Sequence, residues 1–210
     1  MINKINFYIF LHFYFLMNFE QIKSVLQNKS VGIAGCGGLG SNCAVALARV
    51  GVGKLIICDF DVIIESNLNR QYFFYDQIGI KKSHALKQNI NRINPAVLVE
   101  AHDIILNEDN IPGIFSGCDV IVEAFDRADM KKMIIETVLG NMPGIPLVTG
   151  IGLSGWGNSN TIRMINTGNL YICGDGVTEA TDENPPLAPR VGITANMEAN
   201  TVLEILLDKH

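Results

Sequence analysis

Two cations, two carboxylates and a glycine turn in this chain have the types and spacing to handle a phosphorylated ligand. Gly35-Cys36-Gly37-Gly38-Leu39-Gly40 follows the short apolar run Val31 to Ala34 and precedes the Ala-rich segment Ser41 to Val50. Gly35, Gly37 and Gly40 fit G-x-G-x-x-G, so the backbone can turn tightly, approach a phosphate closely and pack a helix on a strand. Backbone N–H groups at the start of that helix then face the anion, and Gly38, Leu39 and Ser41 join the glycines as candidate contacts. About 20 residues past the glycines, Asp59 ends the run Lys54 to Cys58, as expected of a carboxylate that accepts from ribose hydroxyls. Arg70 and Lys82 follow that second apolar run, and Asp126 follows a later one, Val120 to Ala124. Alone, Arg70 and Lys82 read as a solvated basic face; their place beside the carboxyl end of a strand favours phosphate contact.

These residues need a sheet to hold them. Val31 to Ala34 and Lys54 to Cys58 read as buried parallel strands, with further strands at Val97 to Ala101, Val120 to Ala124 and Leu147 to Ile151. Helices are expected between them at Ser83 to Ile93, ended by Asn94-Pro95, at Asn110 to Phe115 and at Ala128 to Leu139. The grammar is Rossmann-like α/β, a doubly wound, mostly parallel sheet. It then loosens into hairpin strands at Thr161 to Ile165 and Leu170 to Cys173 and a loop from Asp175 to Pro189, which at that length is functional or disordered. A closing helix, Val191 to Leu207, presents Ile193, Met197, Val202, Ile205 and Leu206 as its apolar side.

The 210 residues form most simply one domain over 18–210, with Asn18 to Asn28 as an amphipathic lead-in helix. Ile5 to Met17 is an aromatic outlier, short for a membrane span. It is read as an arm or as upstream sequence before a start at Met17, with a signal anchor as the alternative. A net charge of −5 without a basic run speaks against nucleic acid and anionic membrane as partners. Five scattered cysteines, Cys36, Cys43, Cys58, Cys118 and Cys173, suit reduced thiols in the cytoplasm, and without a C-x-x-C pair no structural zinc is expected.

Gly35 to Ser41, Asp59-Phe60-Asp61, Ser66-Asn67-Leu68-Asn69-Arg70-Gln71, Gly79-Ile80-Lys81-Lys82 and Glu123-Ala124-Phe125-Asp126-Arg127 stand in an order that resembles the ThiF/MoeB/ubiquitin-activating-enzyme superfamily over about Ser30 to Leu207. Leu170 to Gly176 and Ala188 to Gly192 bring the chain nearest to the short, zinc-free ThiF-type proteins linked to thiazole synthesis. The resemblance implies adenylylation, by ATP, of the C-terminal carboxylate of a small ThiS-like sulfur carrier ending in Gly-Gly, by a homodimeric cytoplasmic enzyme.

On that reading Arg70 grips phosphate oxygens with its planar fork, Lys82 supplies a point charge, and Asn67 and Gln71 add neutral donors. Asp126 holds Mg²⁺, caps the following helix, or does both; Asp61 helps the metal or caps its turn; Asn67 can equally cap its own segment. Relatives commonly place an N-terminal Arg into the partner subunit's site, but no Arg precedes Arg49, which leaves Lys23 or Lys29 as substitutes. Some relatives also use a loop cysteine covalently, for which Cys173 is the candidate, against its reading as a small strand-end hydrophobe. A NAD- or FAD-dependent oxidoreductase explains Ser30 to Asp59 as well, though it gives Arg70, Lys82 and Asp126 no task. A non-catalytic carrier-binding scaffold of the same fold is the remaining alternative.

Overall fold

Strand pairing begins where the apolar runs predict it. The structure, a computed structural model, describes residues 17–207; the aromatic stretch of residues 1–16 lies outside the described residues. Asn18 opens α1 (Phe19–Leu26) with a reciprocal cap, accepting from the Gln21 N–H at 2.9 Å while the Gln21 side chain accepts from the Asn18 N–H at 2.8 Å. The chain then runs β1 (Ser30–Ala34), α2 (Gly38–Val50), β2 (Lys54–Cys58), α3 (Lys82–Ile93), β3 (Leu98–His102), α4 (Ile111–Phe115), β4 (Val120–Glu123), α5 (Ala128–Asn141) and β5 (Leu147–Gly150). A hairpin, β6 (Arg163–Thr167) and β7 (Leu170–Gly174), and the helix α6 (Ala188–Leu207) complete it.

All seven strands join one sheet in the order β3-β2-β1-β4-β5-β7-β6. Every neighbouring pair is parallel except β6 with β7. The chain leaves β1 toward β2 on one side and returns to β4 on the other, so a crevice opens at the carboxyl ends of β1 and β4, where sheets of this class take ligands.

Period-two alternation divides the apolar strand residues between two layers. Val31, Ile33, Leu55 and Ile57 pack with Leu47 of α2, Leu86 and Ile90 of α3 and Val202 of α6. Ala34, Ile56, Cys58 and Ile121 face the other way onto Phe115 of α4 and Ile134 and Val138 of α5. Phe115 is fully buried, and its truncation to Ala would cost about 3–5 kcal/mol. The expected doubly wound sheet, hairpin and closing helix are thus present.

The closing helix departs from expectation at two points. It starts at Ala188, so Pro189 is its second residue and the loop stops short of it. Ile193, expected on the apolar side, is 40 % exposed, whereas Thr194, Glu198 and Thr201 are buried. The buried stripe is therefore Val191, Thr194, Ala195, Glu198, Ala199 and Val202, a helical face with polar members that a purely apolar pattern discards.

Candidate nucleotide site

The turn after β1 is shaped by steric necessity. Gly35 has φ +97°, a left-handed conformation open to glycine, and its N–H donates to the Cys58 carbonyl at 2.9 Å. A Cβ on Gly40 would lie 1.9 Å from the Gly35 carbonyl oxygen, so the third glycine lets the helix sit against the turn. The helix α2 begins at Gly38, earlier than the sequence suggested, and no side chain caps it. Its first N–H groups are consequently free to receive an anion.

Asp59 sits at the carboxyl end of β2 with both oxygens engaged. Oδ2 accepts from the Cys36 N–H at 2.7 Å and Oδ1 from the Asp61 N–H at 2.8 Å. Burial raises its pKa, and these two N–H groups together with the Lys82 ammonium only partly offset that. Lys82 is buried and donates to Asp61 Oδ2 at 2.7 Å. In this arrangement Asp61 is the counter-ion of Lys82, and it is Asp59 that accepts from the N–H of the turn.

Arg70 lies along Gly38, with Nη1 donating to the Ser66 carbonyl at 3.2 Å and Asn69 Oδ1 at 2.7 Å. Gln71 is buried beside it, and its Oε1 has no hydrogen-bond partner among the described residues. A buried acceptor left unpaired costs about 1–3 kcal/mol, a cost relieved by a ligand donor such as a hydroxyl. Asp126 is exposed just past β4, and its carboxylate has no partner among the described residues.

These groups share one cavity of about 880 Å³, lined by Gly35, Gly37, Gly38, Leu39, Asp59, Asp61, Arg70, Gln71, Lys82 and Asp126. Its volume is at the upper end of the usual range for small-ligand sites and suits a nucleotide. The far wall is apolar, with Ile104, Ile105 and Leu106 after β3 and Phe125 and Met130 around the start of α5. Thr178, Thr181, Asp182, Pro185 and Pro186 line it from the loop between β7 and α6. The apolar run Ile104 to Leu106 directly after a strand was a legible signal of this wall, although the sequence reading passed over it.

Three predicted residues turn away from the cavity. Ser41 is fully buried, donating to the Gly37 carbonyl at 2.6 Å and accepting from the Tyr72 N–H at 2.9 Å, so it staples the turn. Asn67 is buried, and its Oδ1 accepts from the Ile64 N–H at 3.1 Å, the capping role among its two readings. Cys173 is fully buried on β7 near Thr201 Oγ1 at 3.6 Å, and burial pushes its thiol up to about 12, in keeping with its reading as a small strand-end hydrophobe. Lys29 lies at the amino end of β1, paired with Asp119 at 3.6 Å, at the opposite end of the sheet from the crevice.

Sequence reasoning missed what supports Asp126. Glu123, fully buried at the end of β4, accepts from the Phe125 N–H at 2.6 Å, from Lys131 Nζ at 2.9 Å and from Thr149 Oγ1 at 2.5 Å. Lys131 also donates to the Gly150 carbonyl at 3.0 Å. Glu123 thereby fixes the turn that presents Asp126, as a charged residue inside an apolar strand run hints. Among the described residues no three His, Cys, Asp or Glu side chains gather to hold a metal. The donor set fits a magnesium ion held by Asp126 and the phosphates of a bound nucleotide, which is how that ion is ordinarily bound.

A doubly wound sheet with an uncapped helix start, a carboxylate at the end of β2 and two cations on one cavity has the features of a nucleotide-binding α/β domain. The profile of one family matches residues 16–210, and the chain belongs to that family, the ThiF family. It is 31 % identical over 195 residues to the adenylyltransferase and sulfurtransferase UBA4 of Candida albicans, covering 89 % of this chain and 43 % of that protein. It is 30 % identical to the adenylyltransferase and sulfurtransferase MOCS3 of Dictyostelium discoideum, covering 86 % and 44 %. The chain thus spans less than half the length of these relatives. Among solved structures, tRNA N6-threonylcarbamoyladenosine dehydratase TcdA of E. coli in complex with ATP superposes with a TM-score of 0.82 at 22 % identity, covering 90 % of both chains. MccB of E. coli with ATP gives 0.70 at 20 %, covering 90 % of this chain and 59 % of that one.

Proposed function

We propose that this domain transfers AMP from ATP to a carboxylate, and that the acceptor is the C-terminal Gly-Gly carboxylate of a small ubiquitin-like sulfur carrier of the ThiS type. The observation that carries the reading is the convergence of the uncapped α2 start, Arg70, Lys82 and Asp126 on one cavity. An acceptor oxygen attacks the α-phosphorus, the new O–P bond forms as the bond to the bridging oxygen breaks, and pyrophosphate leaves with that electron pair. Because anion meets anion, the barrier falls only if positive charge is spread over the phosphates. The N–H groups of α2 and the Arg70 fork hold the triphosphate, Lys82 adds a point charge, and Asp59 takes the ribose. Asp126 would hold a magnesium ion, whose charge would offset that of the departing pyrophosphate.

Two names among the relatives, both adenylyltransferases, support the transfer. Thiazole synthesis as the destination of the sulfur rests on the short-form motifs Leu170 to Gly176 and Ala188 to Gly192. A homodimer in the cytoplasm is part of the same proposal, with the five buried free cysteines in keeping with a reducing compartment; among the described residues no helix is long and apolar enough to cross a membrane. An oxidoreductase would leave Arg70, Lys82 and Asp126 idle beside the cofactor.

Exchange of labelled pyrophosphate into ATP, measured with and without a Gly-Gly-terminated carrier, tests the proposal. Exchange that depends on carrier is expected; its absence together with tight NAD binding refutes adenylylation. Asp126→Ala should abolish exchange with the far-UV spectrum unchanged, and retained exchange would strip Asp126 of its role.

A further inference from the structure

The loop that lines one wall of the cavity, residues 176–187, connects β7 to α6 and has no sheet or helix of its own. Its two flanks are joined by a buried ion pair, with Arg190 Nη2 donating to Asp175 Oδ2 at 2.5 Å and both side chains 4 % exposed. Arg190 Nη1 donates to the Gly157 carbonyl at 2.5 Å, which ties the glycine-rich turn after β5 to the same point. Asp175 Oδ1 accepts from the Val177 and Thr178 N–H groups at 2.9 Å each, and Thr178 Oγ1 donates to Oδ2 at 3.0 Å. A Cβ on Gly152 would lie 2.0 Å from Asp175 Oδ1, so the backbone at that position leaves the carboxylate its place. One carboxylate therefore organises the start of the loop, and one guanidinium closes its end.

The next residue along, Val191, is fully buried, lines the cavity and abuts Gly38, where a Cβ would meet its Cγ1 at 3.0 Å. The start of α6 is thus packed on the start of α2, and Arg190 is held between that contact and Asp175. The loop's far stretch rests on the phosphate side as well, with Asn69 Nδ2 donating to the Pro186 carbonyl at 3.5 Å. Burial raises the Asp175 pKa, but the bonds from Thr178, Val177 and Arg190 outweigh it and hold the carboxyl below its usual value.

We infer that Arg190 and Asp175 are positioning residues for the nucleotide reaction: their ion pair clasps residues 176–187 over the cavity, and the loop orients ATP and its acceptor only while the clasp is closed. The inference rests on the adenylylation reading for the word "acceptor", whereas the clasp itself is measured without turnover.

Glu179 and Glu183 are exposed in this loop, so cleavage by a glutamate-specific protease reads its opening, with exposed Glu65 and Glu136 as internal controls. In Arg190→Lys and Asp175→Asn, cleavage after Glu179 and Glu183 should accelerate about tenfold or more, since cleavage follows the population of the open loop. The controls should be unchanged and the far-UV spectrum preserved. Thr178→Val, which removes only the hydroxyl bonded to Asp175, should give a smaller acceleration, of about twofold to fivefold. Trp156, the single tryptophan, is 84 % exposed beside Gly157, and its fluorescence anisotropy should fall in Arg190→Lys without any ligand present. The KM for ATP in pyrophosphate exchange should rise in the same order as cleavage. Equal acceleration at all four glutamates, or wild-type cleavage in folded variants, overturns the inference. If the two charge variants do not fold, Thr178→Val decides alone, with an unchanged rate counting against the clasp. A protein that never catalyses exchange yet shows loop-confined cleavage keeps the clasp and loses the adenylylation reading.

Discussion

Glu198 projects from α6 into the layer between helix and sheet with neither carboxyl oxygen hydrogen-bonded, and it is fully buried. Burial lifts its pKa well above the usual 4.5; the nearby Lys131 pulls the other way, and Glu123 adds to the rise. Lys131 offsets little because its ammonium is already bonded to Glu123 and the Gly150 carbonyl. The folded chain therefore holds a proton there that the unfolded chain releases above pH 4.5. Wherever the native state binds more protons, stability falls as pH rises, here by up to about 1.4 kcal/mol per pH unit. The loss begins near the unfolded value of 4.5 and ends once the folded carboxyl also ionises. Glu198→Gln keeps the shape and removes the titration. Its stability relative to wild type should be near level at pH 4 and should rise to a gain of at most about 3.4 kcal/mol by pH 7. Urea unfolding of both proteins at pH 5, 6 and 7 measures this difference. Parallel stability curves across that range, or a gain that shrinks with pH, would refute the assignment of Glu198 as a strained, proton-holding acid.

Gly40→Ala places a Cβ 1.9 Å from a backbone oxygen, so a loss of about 3 kcal/mol or more is expected, read as a lowered Tm with weakened ATP binding. Arg70→Lys retains charge but loses the fork, and kcat/KM for exchange should drop roughly 10- to 100-fold with stability unaltered. Cys173→Ser should retain full exchange, and native thiols should resist an aromatic disulfide reagent at pH 8 until urea is added, because all five are buried.

The alternation of apolar runs made the sheet legible, because a strand covered on both faces reads as an unbroken apolar segment at β1, β2 and β4. Motif spacing likewise located the polar part of the cavity wall, since Gly35, Asp59 and Asp126 follow the ends of β1, β2 and β4, and Arg70 and Lys82 lie on the connection from β2 into α3. Ser41 bonds backbone groups of the turn rather than facing the cavity, and Asn67 takes the capping one of its two readings; short polar side chains serve backbone groups as readily as phosphates, and only geometry separates the two. Glu198 was invisible for a different reason, and the buried pairing of Arg190 was too, since Arg190 lay just before the expected helix. A helical pattern scored on apolar residues treats a charged residue such as Glu198 as outward-facing, yet it and Arg190 both lie inside. Asp175 and Arg190 are 15 residues apart and meet only because the chain doubles back from β7 to α6.

The bond between Lys82 and Asp61 gives the proposed phosphate site a resident occupant. On the proposed reading, a phosphate reaching Lys82 would displace a carboxylate from a buried ammonium, so binding would exchange one anion for another and leave the cation paired throughout. Asp61 is half exposed and returns to water when released, while Lys82 never faces the cavity unneutralised. On that reading Asp61 is a competitor built into the chain, and a multiply charged phosphate would displace it more readily than a weakly charged ligand.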